Sequence, residues 1–440
     1  MKPLDSKPSL ETLALHAGQS PDPATCARAV PVHRTSSYVF RDTTHAANLF
    51  SLKELGNIYT RIMNPTTDVL EKRMAILDGG VGSLAVASGT AAIFYAIVNT
   101  MEAGDEFVSA RNLYGGTYVM FNDILPHFGI SVRFVEHDAP EQFRAAINSK
   151  TRAIFLETIG NPMLGIPDFD EIAKIAGEAH VPLMVDSTFT PPSVFRPIEH
   201  GADVVIHSLT KWIGGHGTAI GGVVVDAGKF DWTDSKFGLY GVPEPSYAGL
   251  RFGYDLGDLQ SMAFILRMRL IPLRNLGACI SPDNAWIFIQ GLESLPLRME
   301  RHCSNALAVA RYLEEHPLVE WVRYPGLPSD PSYSLSQKYF QEGQAGGVVV
   351  FGTKGGPEQA VRFINCAKLF SHLANVGDAK SLAIHPGSTT HSQLSPEQQK
   401  AGGLPPNLVR LSVGTEHIDD ILNDLEDAML GSYCAYTYEI

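Results

Sequence analysis

The stretch "HSLTKWIGGHG", residues 207–217, sets a lysine between two hydroxyl residues and a glycine-rich turn, directly after the apolar run "ADVVI". A lysine beside glycines is ordinarily a solvated loop residue. Lys211 stands where a buried strand should end, next to Ser208 and Thr210, and an amine so placed can shed its proton more readily and form a Schiff base with an aldehyde. Upstream, "VPLMVDSTFTPP" closes another apolar run on Asp186, a carboxylate that needs a positive or hydrogen-donating partner if buried. A structural ion pair would serve, and so would a protonated pyridine nitrogen, whose charge such a contact maintains. Further upstream, "AVASGTAAIFYAI" puts Ser88, Gly89 and Thr90 where a short strand turns into a helix. An N-cap with a packing glycine explains the triplet by itself; free N–H groups and hydroxyls at that point can also hold a phosphate. Taken in order, these are a phosphate cup, a partner for a pyridine nitrogen and a Schiff-base lysine, the parts a pyridoxal 5′-phosphate site requires.

The elements that would position these residues are legible between about residues 80 and 226. "DEFVSA", "ISVRFVE", "RAIFLET", "PLMVDST", "ADVVIHS" and "IGGVVVD" are nearly continuous apolar runs, as expected of strands covered on both faces. Between them "AAIFYAIVNTMEAG", "APEQFRAAINS" and "PDFDEIAKIAGEAH" repeat apolar residues at helical spacing. The pattern predicts an α/β fold with a mostly parallel sheet and a site at the carboxyl ends of its strands. Residues 227–275 read as an ordered, aromatic and proline-rich excursion, followed by a long helical stretch interrupted or kinked at Pro296. "VEWVRYP", "GGVVVFGT" and "LVRLSVG" then predict strands of a smaller α+β domain, with "PEQAVRFINCAKLF" and "HIDDILNDLEDAML" as its helices. The expected organisation is an arm over 1–60, a large domain over 61–275, a C-terminal α+β domain over 276–430 and a tail over 431–440.

The chain has 440 residues, 45% of them hydrophobic and 18% charged, with a formal net charge of −13. That charge disfavours nucleic acid and anionic membranes, so a small-molecule partner is expected. Cys26, Cys279, Cys303, Cys366 and Cys434 lack the spacing of a zinc site or disulfide framework. His207, His216, His385 and His391 lack a metalloprotease spacing, and no metal is expected. The opening "MKPLDSKPSLETLALHAG" carries a proline and an aspartate where a secretory segment would be apolar, which points to a cytoplasmic setting.

With these motifs in place, the chain from about residue 10 to 430 resembles the Cys/Met metabolism pyridoxal-phosphate enzymes. "LHAGQSPDPATCARAVPV", "GNIYTRIMNPTTDVLEKR", "LYGGTY", "LETIGNP", "ADVVIHSLTKWIGGHGTAIGGVVVD" and "LANVGDAKSLAIHP" are most similar to the O-acetylhomoserine sulfhydrylase branch, as is the excursion after "GGVVVD". The resemblance implies an aspartate-aminotransferase-like, fold-type I transferase. It also implies Lys211 as Schiff-base lysine and proton carrier, and Asp186 as partner of the pyridine nitrogen. Ser88, Gly89, Thr90, Ser208 and Thr210 would hold the phosphate, joined by Tyr59 and Arg61 of a neighbouring subunit in a homotetramer built as a dimer of dimers. Tyr114 would stack on the ring and move protons. Asn161 and Arg410 would bind the amino-acid carboxylate, with Ser381 assisting near the lysine.

The reaction so implied is γ-substitution of O-acetyl-L-homoserine by sulfide, giving L-homocysteine and acetate. Departures from the usual sulfhydrylase pattern at Thr90, Ser187, Ala248 and Gly387 leave open another nucleophile: a thiol, a carrier-protein sulfur, or a carbon or amine nucleophile. A methionine γ-lyase is a further alternative, although those enzymes usually carry cysteine where this chain has Gly116. A nucleotide-binding dehydrogenase would need a glycine-rich turn and a following acidic residue that the chain lacks.

Overall fold

The computed structural model describes residues 8–389 and 403–434. Its central element is a seven-stranded sheet made of β1 (Gly82–Val86), β2 (Glu106–Ala110), β3 (Ser131–Val135), β4 (Thr151–Glu157), β5 (Leu183–Asp186), β6 (Val204–Ser208) and β7 (Gly222–Asp226) in the order β1-β7-β6-β5-β4-β2-β3. β2 to β6 run parallel, whereas β7 is antiparallel to both β1 and β6. The apolar runs are continuous because successive residues feed different cores. Met184, Val204 and Ile206 pack on one face with Ile93, Ala96 and Ile97, while Val185 and Val205 pack on the other with Leu70, Met74 and Ile175.

A second sheet contains β8 (Val319–Arg323), β9 (Val348–Thr353), β10 (Ser371–His372), β11 (Leu382–Ile384) and β12 (Leu408–Ser412), in the order β10-β11-β12-β9-β8. Its own core joins Val349, Phe351, Val409 and Leu411 to Val309, Phe363 and Leu425 from the helices Leu295–Glu315, Pro357–Cys366 and Ile418–Cys434. The last helix runs through Cys434, past the boundary at 430 expected from sequence, and Ser432 is buried within it, accepting a hydrogen bond from Gln359.

The chain from 282 to 315 breaks at Ser294, not at Pro296. One helix ends at Glu293 and the next begins at Leu295, so Pro296 sits in a first turn where its missing N–H costs no hydrogen bond. The excursion packs its aromatics inward. Trp232 stacks on Tyr240 and Phe264, and Asn99, from the helix Gly89–Thr100, donates to the Tyr240 hydroxyl. The early part of the expected arm lies on its own chain, with Ala14 in the large core and Arg73 donating to the Ala17 carbonyl.

Candidate functional site

Strand register brings the sequence motifs to one rim. Ser208, at the end of β6, pairs with Gly222, which on its other side pairs with Val86 at the end of β1. Asp186, at the end of β5, lies between Ile206 and Glu157 on the flanking strands. After β1 the chain turns at Ser88, whose hydroxyl caps the helix Gly89–Thr100 by accepting from the Ala91 N–H at 3.0 Å. The adjacent N–H groups are the orphan donors of a helix start. Gly89 allows this start to touch β6, because a Cβ there would lie 2.6 Å from the Ser208 Cβ and 3.0 Å from its Cα. The Thr210 hydroxyl both donates to the Gly221 carbonyl and accepts from the Gly221 N–H, which holds the turn carrying Lys211 against the start of β7.

The Lys211 amine donates to Asn375 Oδ1 at 2.6 Å. Burial, reinforced by the nearby Arg410 guanidinium, pulls its pKa down to about 8. Arg410, in β12 of the second sheet, is itself buried and brought down to about 10 by desolvation. Among the described residues its guanidinium makes only long bonds, 3.3 Å to Asn161 Oδ1 and 3.4 Å to the Asn375 carbonyl, which leaves it able to grip a carboxylate. Gly377 lets this loop approach the lysine. It has φ +81, and a Cβ there would lie 2.6 Å from the Trp212 N and 2.8 Å from the Lys211 carbonyl carbon.

Ser381 is occupied elsewhere. Its hydroxyl donates to Glu416 at 2.9 Å and accepts from the Gly414 N–H, so the side chain that meets Lys211 is Asn375. Asn375 gave no local signal in sequence. Glu157 did: like Asp186 it ends an apolar run, and its carboxylate accepts the Tyr114 N–H at 2.7 Å. Burial, with Asp186 alongside, raises the Glu157 pKa well above the usual carboxylate range. Burial also raises Asp186, against the Thr188 hydrogen bonds and the positive influence of His207.

Tyr114 is half exposed, with its ring over Gly116, where a Cβ would fall 2.6 Å from the Tyr114 Cε1. Arg61 stacks on the Tyr59 ring at 5.0 Å, and its Nε has no hydrogen-bond partner among the described residues. The expected neighbours of the site divide. His207 is fully buried under the rim, whereas His216 is exposed and bonds the Gly214 carbonyl. His385 bonds Ser388 and the Pro406 carbonyl, and His391 lies outside the described residues.

The donor set fits pyridoxal 5′-phosphate: a helix N-terminus pressed against hydroxyls, a strand-end carboxylate, and a half-buried amine whose pKa is lowered toward neutrality. The model of the Cys/Met metabolism PLP-dependent enzymes matches residues 11–430. The chain belongs to this family. It is 54% identical to the O-acetyl-L-homoserine sulfhydrylase of Leptospira meyeri, covering 97% of each chain. It is 51% identical to the homocysteine synthase of Schizosaccharomyces pombe, covering 97% of this chain and 99% of the relative. A crystal structure described as an O-acetylhomoserine (thiol)-lyase from Campylobacter jejuni, with N′-pyridoxyl-lysine-5′-monophosphate in its chain, superposes with a TM-score of 0.92 at 39% identity, covering 96% and 99%. Like other members of the family, the chain is a fold-type I enzyme dependent on pyridoxal 5′-phosphate.

Proposed function

We propose that this enzyme catalyses γ-substitution of O-acetyl-L-homoserine by sulfide, giving L-homocysteine and acetate, the activity named for the Leptospira relative. One observation carries the reading: Asn375 joins a half-buried amine, Lys211, to a buried guanidinium, Arg410, so a proton carrier and a carboxylate anchor would stand side by side.

When bound, pyridoxal 5′-phosphate supplies an electron sink for charge developing next to the substrate's α-carbon. Ser88, Gly89, Thr90, Ser208 and Thr210 would hold its phosphate, and Asp186 would keep its ring nitrogen in the charged form. Tyr114 would lie against the ring and assist proton transfer. Arg410 and Asn161 clamp the substrate carboxylate, which fixes the α-hydrogen toward Lys211. With a pKa near 8, the Lys211 amine is poised to exchange protons close to neutrality. It takes a proton from the α-carbon and hands it on, which frees the amine for the proton next lost from the β-carbon; acetate can then leave the γ-carbon, and protons return to both carbons after sulfide adds.

Residues 61–275 form the cofactor domain in this reading, 276–430 supply Arg410, and 1–60 act as an arm whose end carries Tyr59, with Arg61 next after it, to the neighbouring subunit's phosphate. The enzyme then works as a cytoplasmic homotetramer, a dimer of dimers. The test is acetate release from O-acetyl-L-homoserine against sulfide, methanethiol, and amine and carbon nucleophiles. Homocysteine should form in step with acetate, fastest with sulfide; ammonia and 2-oxobutyrate as main products would instead establish a γ-lyase.

A further inference from the structure

Beneath the rim lies a buried pair that the proposed chemistry does not use. His207 and Asp78 are both fully buried, with His207 Nε2 2.9 Å from Asp78 Oδ2 and His207 Nδ1 3.1 Å from the Ser187 carbonyl oxygen. Asp78 ends the helix Pro65–Asp78 and Ser187 directly follows Asp186, so the imidazole ties that helix to the end of β5. A backbone carbonyl only accepts, so Nδ1 must carry a proton. The other oxygen of Asp78, Oδ1, is buried without a hydrogen-bond partner among the described residues. A carboxylate in that position is tolerable as an anion only against an adjacent cation.

We propose that His207 is an imidazolium locked by Asp78 and is a positioning residue for Asp186, fixing the end of β5 through Ser187 and placing a positive charge behind the Asp186 carboxylate. The charged groups that face it are Asp78 from the helix and Asp186 from β5, with Glu157 of β4 beyond Asp186. Burial by itself would lower the His207 pKa, but the Asp78 carboxylate, helped by Asp186, holds it above the ordinary histidine value. The consequence for Asp186 follows from its own surroundings. Burial favours its neutral form; the Thr188 hydrogen bonds oppose that first, and His207 is the cation that opposes it with them.

The inference rests on Asp186 holding the cofactor nitrogen, and its test reads His207 separately. Nitrogen NMR of the holoenzyme labelled at histidine, with His207→Gln to assign the signal, should show both His207 ring nitrogens protonated from about pH 6 to about pH 8, across the ordinary titration range. An unprotonated ring nitrogen at neutral pH, which would mean a neutral imidazole receiving the proton of a neutral Asp78, overturns the proposal. His207→Gln and Asp78→Asn should each move the acid limb of the kcat profile, and of the bound cofactor's absorbance, upward by about one pH unit, the scale of one removed charge partner. The double variant should move them no further. Variants that only lower the unfolding temperature and leave both acid limbs in place would reduce the pair to a structural contact. An Asp186→Asn enzyme with unchanged cofactor affinity and absorbance would refute the role of Asp186 while leaving the NMR result standing.

Discussion

Lys211 acquires its reactivity from two neighbours distant in sequence: Asn375 accepts its hydrogen bond, and Arg410 adds to the effect of burial in weakening its hold on a proton. The neutral amine is the form that attacks an aldehyde. Capture of pyridoxal 5′-phosphate by the cofactor-free protein should therefore quicken with rising pH and level off above about 8. Asn375→Asp would put a carboxylate against the ammonium and favour its charged form, so the inflection should move to higher pH by about a unit or more. Rapid-mixing absorbance at a series of pH values checks this, and an unmoved inflection contradicts it. Lys211, Asp186, Ser88 and Ser208 were legible as candidates because each stands where an apolar run stops, a place that sequence marks by itself. Glu157 carried the same mark as Asp186. Asn375 carried none, since its position depends on a loop returning from the second sheet, and Ser381, a more conspicuous hydroxyl nearby, is bonded to Glu416.

At the level of elements, the site depends on a helix start and a strand end meeting without a side chain between them. Gly89→Ala would drive a Cβ into Ser208, whose backbone Cα lies 3.0 Å away and cannot rotate aside. Alanine favours the helix over glycine by roughly 1 kcal/mol, so the helix should persist while the phosphate donors separate from β6. Expected is a weakening of cofactor affinity by about tenfold or more, the equivalent of about 1.4 kcal/mol, with circular dichroism unchanged; unaltered affinity would remove the helix start from the phosphate site. The strands of the parallel sheet were readable because burial on both faces leaves apolar residues in a row. The second sheet was only partly readable: β10 spans just Ser371–His372 and β11 just Leu382–Ile384, too short for any periodicity to show. The break at Ser294 was displaced onto Pro296 in sequence because proline marks both a helix interruption and a favoured first turn, and only the backbone separates the two.

At the scale of the whole molecule, the proposed substrate anchor and proton carrier come from different sheets, with Arg410 on β12 and Lys211 just after β6. In that proposal, relative placement of the two sheets becomes part of catalysis. The proposed sharing of Tyr59 and Arg61 between subunits extends this dependence across an interface and has a distinct signature. Lys211→Ala and Arg61→Ala chains, each inactive when expressed alone, should regain activity when co-assembled, because a mixed dimer rebuilds one intact site. Recovery absent from verified mixed oligomers would place both residues in the service of their own chain. Whether Lys211 is the amine that holds the cofactor is decided by borohydride treatment of the purified enzyme, followed by digestion and mass mapping. A single pyridoxyl-phosphate adduct is expected on the peptide containing Lys211, lost in Lys211→Ala; a stable adduct on another lysine, or none on wild-type enzyme that retains the cofactor, would rule Lys211 out.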